Sequence, residues 1–308
     1  MHEISYPFAV GRIKSLEKNL LDATVWQQLT DANNENTMLK ILKEHGYGSQ
    51  SEDYKSVSKV VASEMKVVDH EIKSLSPDPV LTNLFYLNED AYNLKLLLKG
   101  RLLKRDVTKL LHPSGVVPLN SLMEAFINEK WNELPVSIES VIKQSLELQD
   151  PFEISVKVDK AILSIIRETL IHHRNRLIEN YFIVRFDANN ILAMIRGNAL
   201  RWTSSKINNL LVPGGSIEMK MIERAIGKSD DQLSQYVSSG SNRFAYRRIV
   251  ENYAEDHQLS NVEKRLDDFA FSIIHEQKND SFGIGPVVNY LLQKRREASS
   301  IRIIAAKK

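Results

Sequence analysis

Apolar residues recur at spacings of three and four along most of the chain, as in Leu87, Ala91, Leu94, Leu98 and Leu102, and again in Ile162, Ile166, Leu170, His173 and Leu177. Such spacing lays one apolar stripe along a helix. In the second series it predicts that His173 faces the core. The period of two that a half-buried strand needs is nearly absent. Its one short exception, FEISVKV at 152–158, runs straight into a long periodic segment and is read as the approach to a helix. Prolines fall between the periodic segments rather than inside them: Pro77, Pro79, Pro113, Pro118, Pro135, Pro151 and Pro213, with Pro7 and Pro286 near helix starts. A proline inside a helix would remove a backbone hydrogen bond and clash with the preceding turn, so these residues mark helix limits. The pattern predicts an all-α chain.

Two stretches of that pattern are copies of each other. DAYNLKLLLKGRLLK at 90–104 and DANNILAMIRGNALR at 187–201 share Asp-Ala-x-Asn, an apolar helix face, a base followed by glycine (Lys99-Gly100, Arg196-Gly197), and a base four residues after the glycine. After each comes a short helical segment and a matching turn, KLLHPSGVVPL from Lys109 and NLLVPGGSIEM from Asn209, aligned by one three-residue gap. A weaker third copy, FAVGRIKSLEKNLL from Phe8, has Lys14-Ser15 where the others have a base and glycine. A small residue at that point lets a neighbouring helix approach closely. The copies divide the chain into three helical units, at 1–85, 86–185 and 186–281, which are expected to stack because no low-complexity linker separates them. A last segment at 282–308 is expected to pack near the first unit and complete it.

Composition narrows the function. With 308 residues and 43% hydrophobic side chains the chain can bury a sizeable core. Its 41 Lys and Arg against 39 Asp and Glu leave a formal charge of +2, so no global field gathers nucleic acid or an anionic membrane. No cysteine is present, which excludes disulfides, thiolate metal sites and a cysteine nucleophile, and fits a reducing compartment. The opening MHEISYPFAVGRIKSLEKNLL lacks the continuous apolar core of a signal peptide, and no apolar run approaches the roughly 18–20 residues of a membrane-spanning helix.

Candidate chemistry is sparse. There is no phosphate-binding G-x-x-x-x-G-K-[ST], no dinucleotide G-x-G-x-x-G, no G-x-S-x-G elbow and no H-E-x-x-H. FGIGP at 282–286 has two glycines but neither a preceding strand nor a following Lys-Ser/Thr, and reads as a tight turn into a helix with Pro286 in its first turn. His172 and His173 point about 100° apart on a helix and cannot serve one metal from one face. Glu168 and His172 do share a face, yet no further ligands follow at a recognisable spacing. The basic pairs Lys104-Arg105 and Arg247-Arg248 and the segment HHRNR read as solvated faces, since no nucleic-acid-binding signature accompanies them. No catalytic, cofactor-binding or metal-binding residue is assigned, and no cofactor is expected.

The order of segments resembles a known family. YPFAVGRIKSLEKNLL (6–21), YNLKLLLKG (92–100), NNILAMIRG (189–197) and FGIGPVVNYLLQKRREASSIRIIAAKK (282–308) are similar to the C subunit of bacterial and archaeal V/A-type ATPases, whose eukaryotic counterpart is the V-ATPase d subunit. The closing Tyr290, Lys294 to Glu297 and Ile301-Arg302-Ile303-Ile304 carry the family's terminal pattern, while Arg295 and Ala298 depart from the residues usual there. The resemblance implies three pseudo-symmetric helical domains arranged as a funnel-shaped socket. It implies a non-catalytic subunit on the cytoplasmic face of the membrane, linking central stalk subunits D and F to the proteolipid rotor ring of a proton- or sodium-translocating rotary ATPase. A free-standing helical-repeat scaffold for a protein partner is the alternative that the repeats alone allow; a helical enzyme using unpatterned carboxylates is a third.

Overall fold

The computed structural model describes residues 5–48 and 56–308, and every regular element among them is helical. The first four residues of the opening segment, read above against a signal peptide, lie outside the described residues. The helices begin where the sequence supplies a cap. Side-chain oxygens of Asp22, Asn34, Ser56, Asp150, Asn175 and Thr203 accept from backbone N–H groups that the first helical turn leaves without a partner. Pro7, Pro151 and Pro286 occupy first turns, where a missing N–H costs nothing. Three helices stop at a residue in left-handed conformation, Lys104, Glu129 and His257.

The chain forms two compact units. One contains residues 1–82 and 274–308; the other contains residues 83–273. In the first unit, α1 (Tyr6–Leu16), α2 (Ala23–Asp31), α3 (Glu35–Glu44), α4 (Val57–Leu75) and the short α5 (Pro79–Asn83) are joined by the C-terminal helix, named α16 below (Gly285–Ala305), which lies chiefly along α4 and also meets α1 and α2. Val60, Val61 and Ile72 of α4 and Val287, Val288, Leu291 and Ile301 of α16 are fully buried.

A charged cluster is buried in that same unit. Lys294 of α16 has a fully buried side chain, and its Nζ lies 3.1 Å from Glu64 and 3.2 Å from Glu297. It also donates to the Asn19 carbonyl at 3.3 Å and stands over the Tyr47 ring, 4.6 Å from its centre. Glu297 accepts from the Leu21 backbone N–H at 2.6 Å and from the Tyr47 hydroxyl at 2.9 Å. A buried ammonium without partners would cost several kcal/mol, and these oxygens offset the cost of burying Lys294 at that depth. Burial, and then the charge of Glu297, push the Tyr47 phenol well above its ordinary range; burial with Glu64 does the same to Tyr290.

The second unit contains α6 (Leu87–Leu103), α7 (Leu119–Asn128), α8 (Val136–Leu146), α9 (Pro151–His172), α10 (Arg176–Ala199), α11 (Ser204–Asn208), α12 (Met219–Ala225), α13 (Asp230–Tyr236), α14 (Arg243–Asp256) and most of α15 (Leu259–His275). Residues 152–158 form the first two turns of α9. Their alternation arises because Ile154 and Val158 bury on one side of the helix while Val156 buries on another. His173 does not face the core: it is the exposed residue that ends α9, where the chain turns toward α10. The apolar stripe of α9 stops at Leu170, and Leu177 belongs to the next helix.

Both copies of the internal repeat lie in this unit. A Cβ on Gly197 would fall 2.5 Å from Cγ1 of Ile207, and one on Gly100 would fall 3.0 Å from the Arg105 carbonyl and from both methyls of Val107. The close approach is therefore made by the segment that follows each helix, at corresponding positions. Ser15, the proposed third counterpart, is exposed instead. Substituting Gly197→Leu is expected to destabilise the chain by about 1–3 kcal/mol through overpacking. A thermal melt checks this, and an unshifted midpoint would show that the approach at Gly197 is not tight.

Candidate functional site

Among the described residues, buried polar side chains tie helices to distant turns and so hold the surfaces in place. The first such tie is a repeated clamp. Asp90, near the start of α6, is 1% exposed, and its carboxylate accepts from the backbone N–H of Val116 at 2.9 Å and of Val117 at 3.1 Å. Three residues on, Asn93 exchanges two 2.7 Å bonds with the backbone of His112, through its amide N–H to the carbonyl and its Oδ1 to the N–H. One helix face thus holds both ends of the turn in HPSGVV.

The same arrangement recurs in the second copy. Asp187 of α10, fully buried, accepts from Ser216 N–H at 2.9 Å and Ile217 N–H at 3.0 Å. Asn190 exchanges bonds of 2.8 and 2.9 Å with the backbone of Val212. Gly115 and Gly215 stand where any Cβ would run into the respective aspartate carboxylate. That is the reason each turn carries glycine at that point. Asp187 also accepts from the Ser216 hydroxyl at 2.7 Å and from the Tyr246 hydroxyl of α14 at 2.9 Å. Burial, and then the Asp187 charge, push the Tyr246 phenol far above its usual range, so it stays a donor.

A cavity of about 330 Å³ opens between α6, α9, α10 and α15. Ile162, Ile166 and Phe182 give it apolar walls, and Asp159, Arg185 and Asp267 give it charge. Those charges are engaged: Asp159 with Lys95 at 2.7 Å, Asp267 with Arg185, and Glu263, also lining the cavity, with Arg196. Burial would lower the Arg185 pKa, but Tyr181 and Asp267 outweigh it and raise it, so the guanidinium remains a cation. Carboxylates already committed to cations suit a polar docking wall better than acid–base work.

The residues weighed as chemistry stay apart. Glu168 accepts from the Ser164 hydroxyl at 3.0 Å, and His172 is exposed at the end of α9. Among the described residues no group of three or more His, Asp or Glu is placed to hold a metal. FGIGP is the turn into α16: Phe282 N–H donates to Asp280 at 2.9 Å, and a Cβ on Gly285 would fall 2.5 Å from the Gln277 carbonyl. Glu64 and Tyr47, central to the buried cluster, carried no sequence signal because they lie far from Lys294 along the chain. Asn93 and Asn190 were visible as repeated letters, although only the fold shows what they bind.

The model of the ATP synthase (C/AC39) subunit family matches residues 9–308. The chain belongs to that family, which comprises a non-catalytic subunit of A/V-type rotary ATP synthases. It is similar to the C subunit of the A-type ATP synthase of Pyrococcus furiosus, with 22% identity over 97% of this chain and 85% of that protein. It is also similar to the C subunit of the A-type ATP synthase of Thermococcus onnurineus, with 28% identity over 42% of this chain and about a third (34%) of that protein. No described helix is long and apolar enough to cross a membrane.

The second clamp makes a direct prediction. Replacing a carboxylate oxygen by an amide nitrogen turns one acceptor into a donor that faces backbone donors, and each bond to a charged acceptor contributes about 1.5–3 kcal/mol. Asp187→Asn is expected to destabilise the chain by about 2–4 kcal/mol, because the carboxylate accepts from two backbone N–H groups and from the Ser216 and Tyr246 hydroxyls. Urea unfolding decides it; a midpoint equal to that of the unaltered chain would mean that these bonds add nothing.

Proposed function

We propose that the chain is the central-rotor adaptor of a V/A-type rotary ATPase. In this reading it joins the central stalk, formed by subunits D and F, to the proteolipid ring and transmits torque during ATP-driven ion transport or ATP synthesis. It sits at the cytoplasmic face of the membrane as a peripheral subunit. The observation that carries this reading is the family match over residues 9–308 in a chain whose described regular elements are all helices. An adaptor under torque must not yield between its two docking ends. Helices tied to distant turns by buried carboxylates, as at Asp90 and Asp187, supply stiffness without a cofactor.

The division at 1–85, 86–185 and 186–281, completed by 282–308 beside the first unit, is part of the same proposal. Three such helical domains set round a pseudo-threefold axis would form a funnel that receives the stalk and offers the ring a repeated surface. Support comes from the paired clamps of the second and third domains. The cavity bounded by Asp159, Arg185 and Asp267, polar but internally neutralised, suits a wet and reversible protein contact.

The test is recovery of a tagged chain from gently solubilised membranes of its source, with mass spectrometry of what accompanies it. Subunits D and F together with a proteolipid are the expected companions. Soluble partners alone, with no rotary-ATPase subunit, would overturn the adaptor reading in favour of a free-standing helical scaffold.

A further inference from the structure

The internal repeat serves as its own control, and one place in the first copy lacks what the second copy has. Between the C-terminal half of α6 and α7 runs an open groove of about 330 Å³. Leu97 and Gly100 line one wall and Met123, Phe126 and Ile127 the other, each set spaced as one helical stripe, with Val107 of the connecting loop between them. Phe126 is held edge-on against Trp131, with ring centres 4.8 Å apart. Ile127 is 74% exposed, and Leu103 and Leu110 nearby are each more than half exposed. At the corresponding positions of the second copy, Ile207 replaces Val107 and is fully buried against Gly197, Met194 replaces Leu97 and is fully buried, and Gly227 stands in place of Ile127. There the chain has a three-residue insertion before Ile207 that contributes to α11. The first copy presents an apolar groove where the second fills the space from its own sequence.

Charge decides what would fit it. The groove is bordered by Arg101, Lys104 and Arg105 against a single lining carboxylate, Asp106. That carboxylate is occupied locally, accepting from the backbone N–H of Thr108 at 2.9 Å and from its hydroxyl at 2.7 Å, and those bonds hold its pKa below the usual range. Arg101 is paired with Glu129 at 2.6 Å, which leaves Lys104 and Arg105 as the cations facing an incoming surface. Part of the loop's backbone is already bonded within the chain. Arg105 N–H already bonds the Gly100 carbonyl at 2.8 Å, Thr108 N–H bonds Asp106, and Leu110 N–H bonds the Val107 carbonyl at 2.9 Å. The groove itself is lined by side chains, which suits an occupant that satisfies its own backbone and contributes side chains only, as a helix does.

We infer that the α6–α7 groove is a docking site for an amphipathic helix of a partner protein, with aliphatic residues on one stripe and Asp or Glu along its edge. The apolar stripe inserts between Gly100 and Ile127, and the acids meet Lys104 and Arg105. The inference rests on the groove and its charges, and it stands or falls separately from the adaptor reading.

The probe is a fluorescein-labelled helical peptide of about 18 residues, long enough to hold its helix, with leucines on one stripe and glutamates at its edges. A companion peptide carries lysines in place of the glutamates. Fluorescence anisotropy with the full chain is expected to show binding of the acidic peptide only, weakening as salt rises. Ile127→Glu, and separately Lys104→Glu with Arg105→Glu, are expected to weaken it at least tenfold while the melting temperature holds. Leu200→Glu, at the position in the second copy that corresponds to Leu103, is expected to leave binding unchanged. The same affinity for both peptides, no binding of either, or binding indifferent to Ile127→Glu would overturn the proposal. Sedimentation showing a dimer of the chain that Ile127→Glu dissolves would overturn it in favour of a second copy as occupant.

Discussion

Burying a carboxylate beneath the surface of a protein is costly unless its lone pairs are met, since an unpaired buried charge costs several kcal/mol. Asp90 and Asp187 meet that condition with backbone N–H groups that lie more than twenty residues further along the chain. Each bond to the helix is therefore also a bond across a long connection. The asparagine one turn later holds the other end of the same turn, so neither helix can slide against its loop without breaking four bonds. The glycines at 115 and 215 follow from the same demand, because the carboxylate occupies the space that a Cβ would take.

The first compact unit meets an equivalent demand by different means. It has no aspartate at the start of α1 to match Asp90 and Asp187. There Lys294, buried on the C-terminal helix, is met by Glu64, Glu297 and the Asn19 carbonyl. That cluster draws together residues from both ends of the chain, so removing the last helix would take the cation from Glu64 and open the apolar face of α4. The terminal Lys-x-x-Glu pattern is thus a structural latch in this chain.

Much of this organisation was legible in the order of residues, and its limits are instructive. Helix periodicity and proline placement were enough for the all-α fold, and the Asp-Ala-x-Asn repeat with its three-residue gap identified two segments that the structure gives matching bonds. What a repeated letter does is set by residues brought from elsewhere, so the clamp itself could not be read. His173 was misjudged because a periodic apolar count runs across a helix end as readily as along a helix. Ser15 was misjudged because small size permits close approach without requiring it. The buried Lys294 cluster joins α16 to Tyr47 and Glu64, which no spacing rule connects. The open α6–α7 groove became visible only when the two copies were compared in three dimensions.

The adaptor account holds that this chain carries torque and performs no chemistry, with stiffness supplied by the clamps. The most direct measurement compares ATP hydrolysis with ion pumping in membranes whose complex contains Asp187→Asn in place of the unaltered chain, under conditions where the variant is still assembled. The account predicts that hydrolysis continues while pumping per ATP falls. Parallel loss of both activities, or full pumping with the clamp broken, would contradict it.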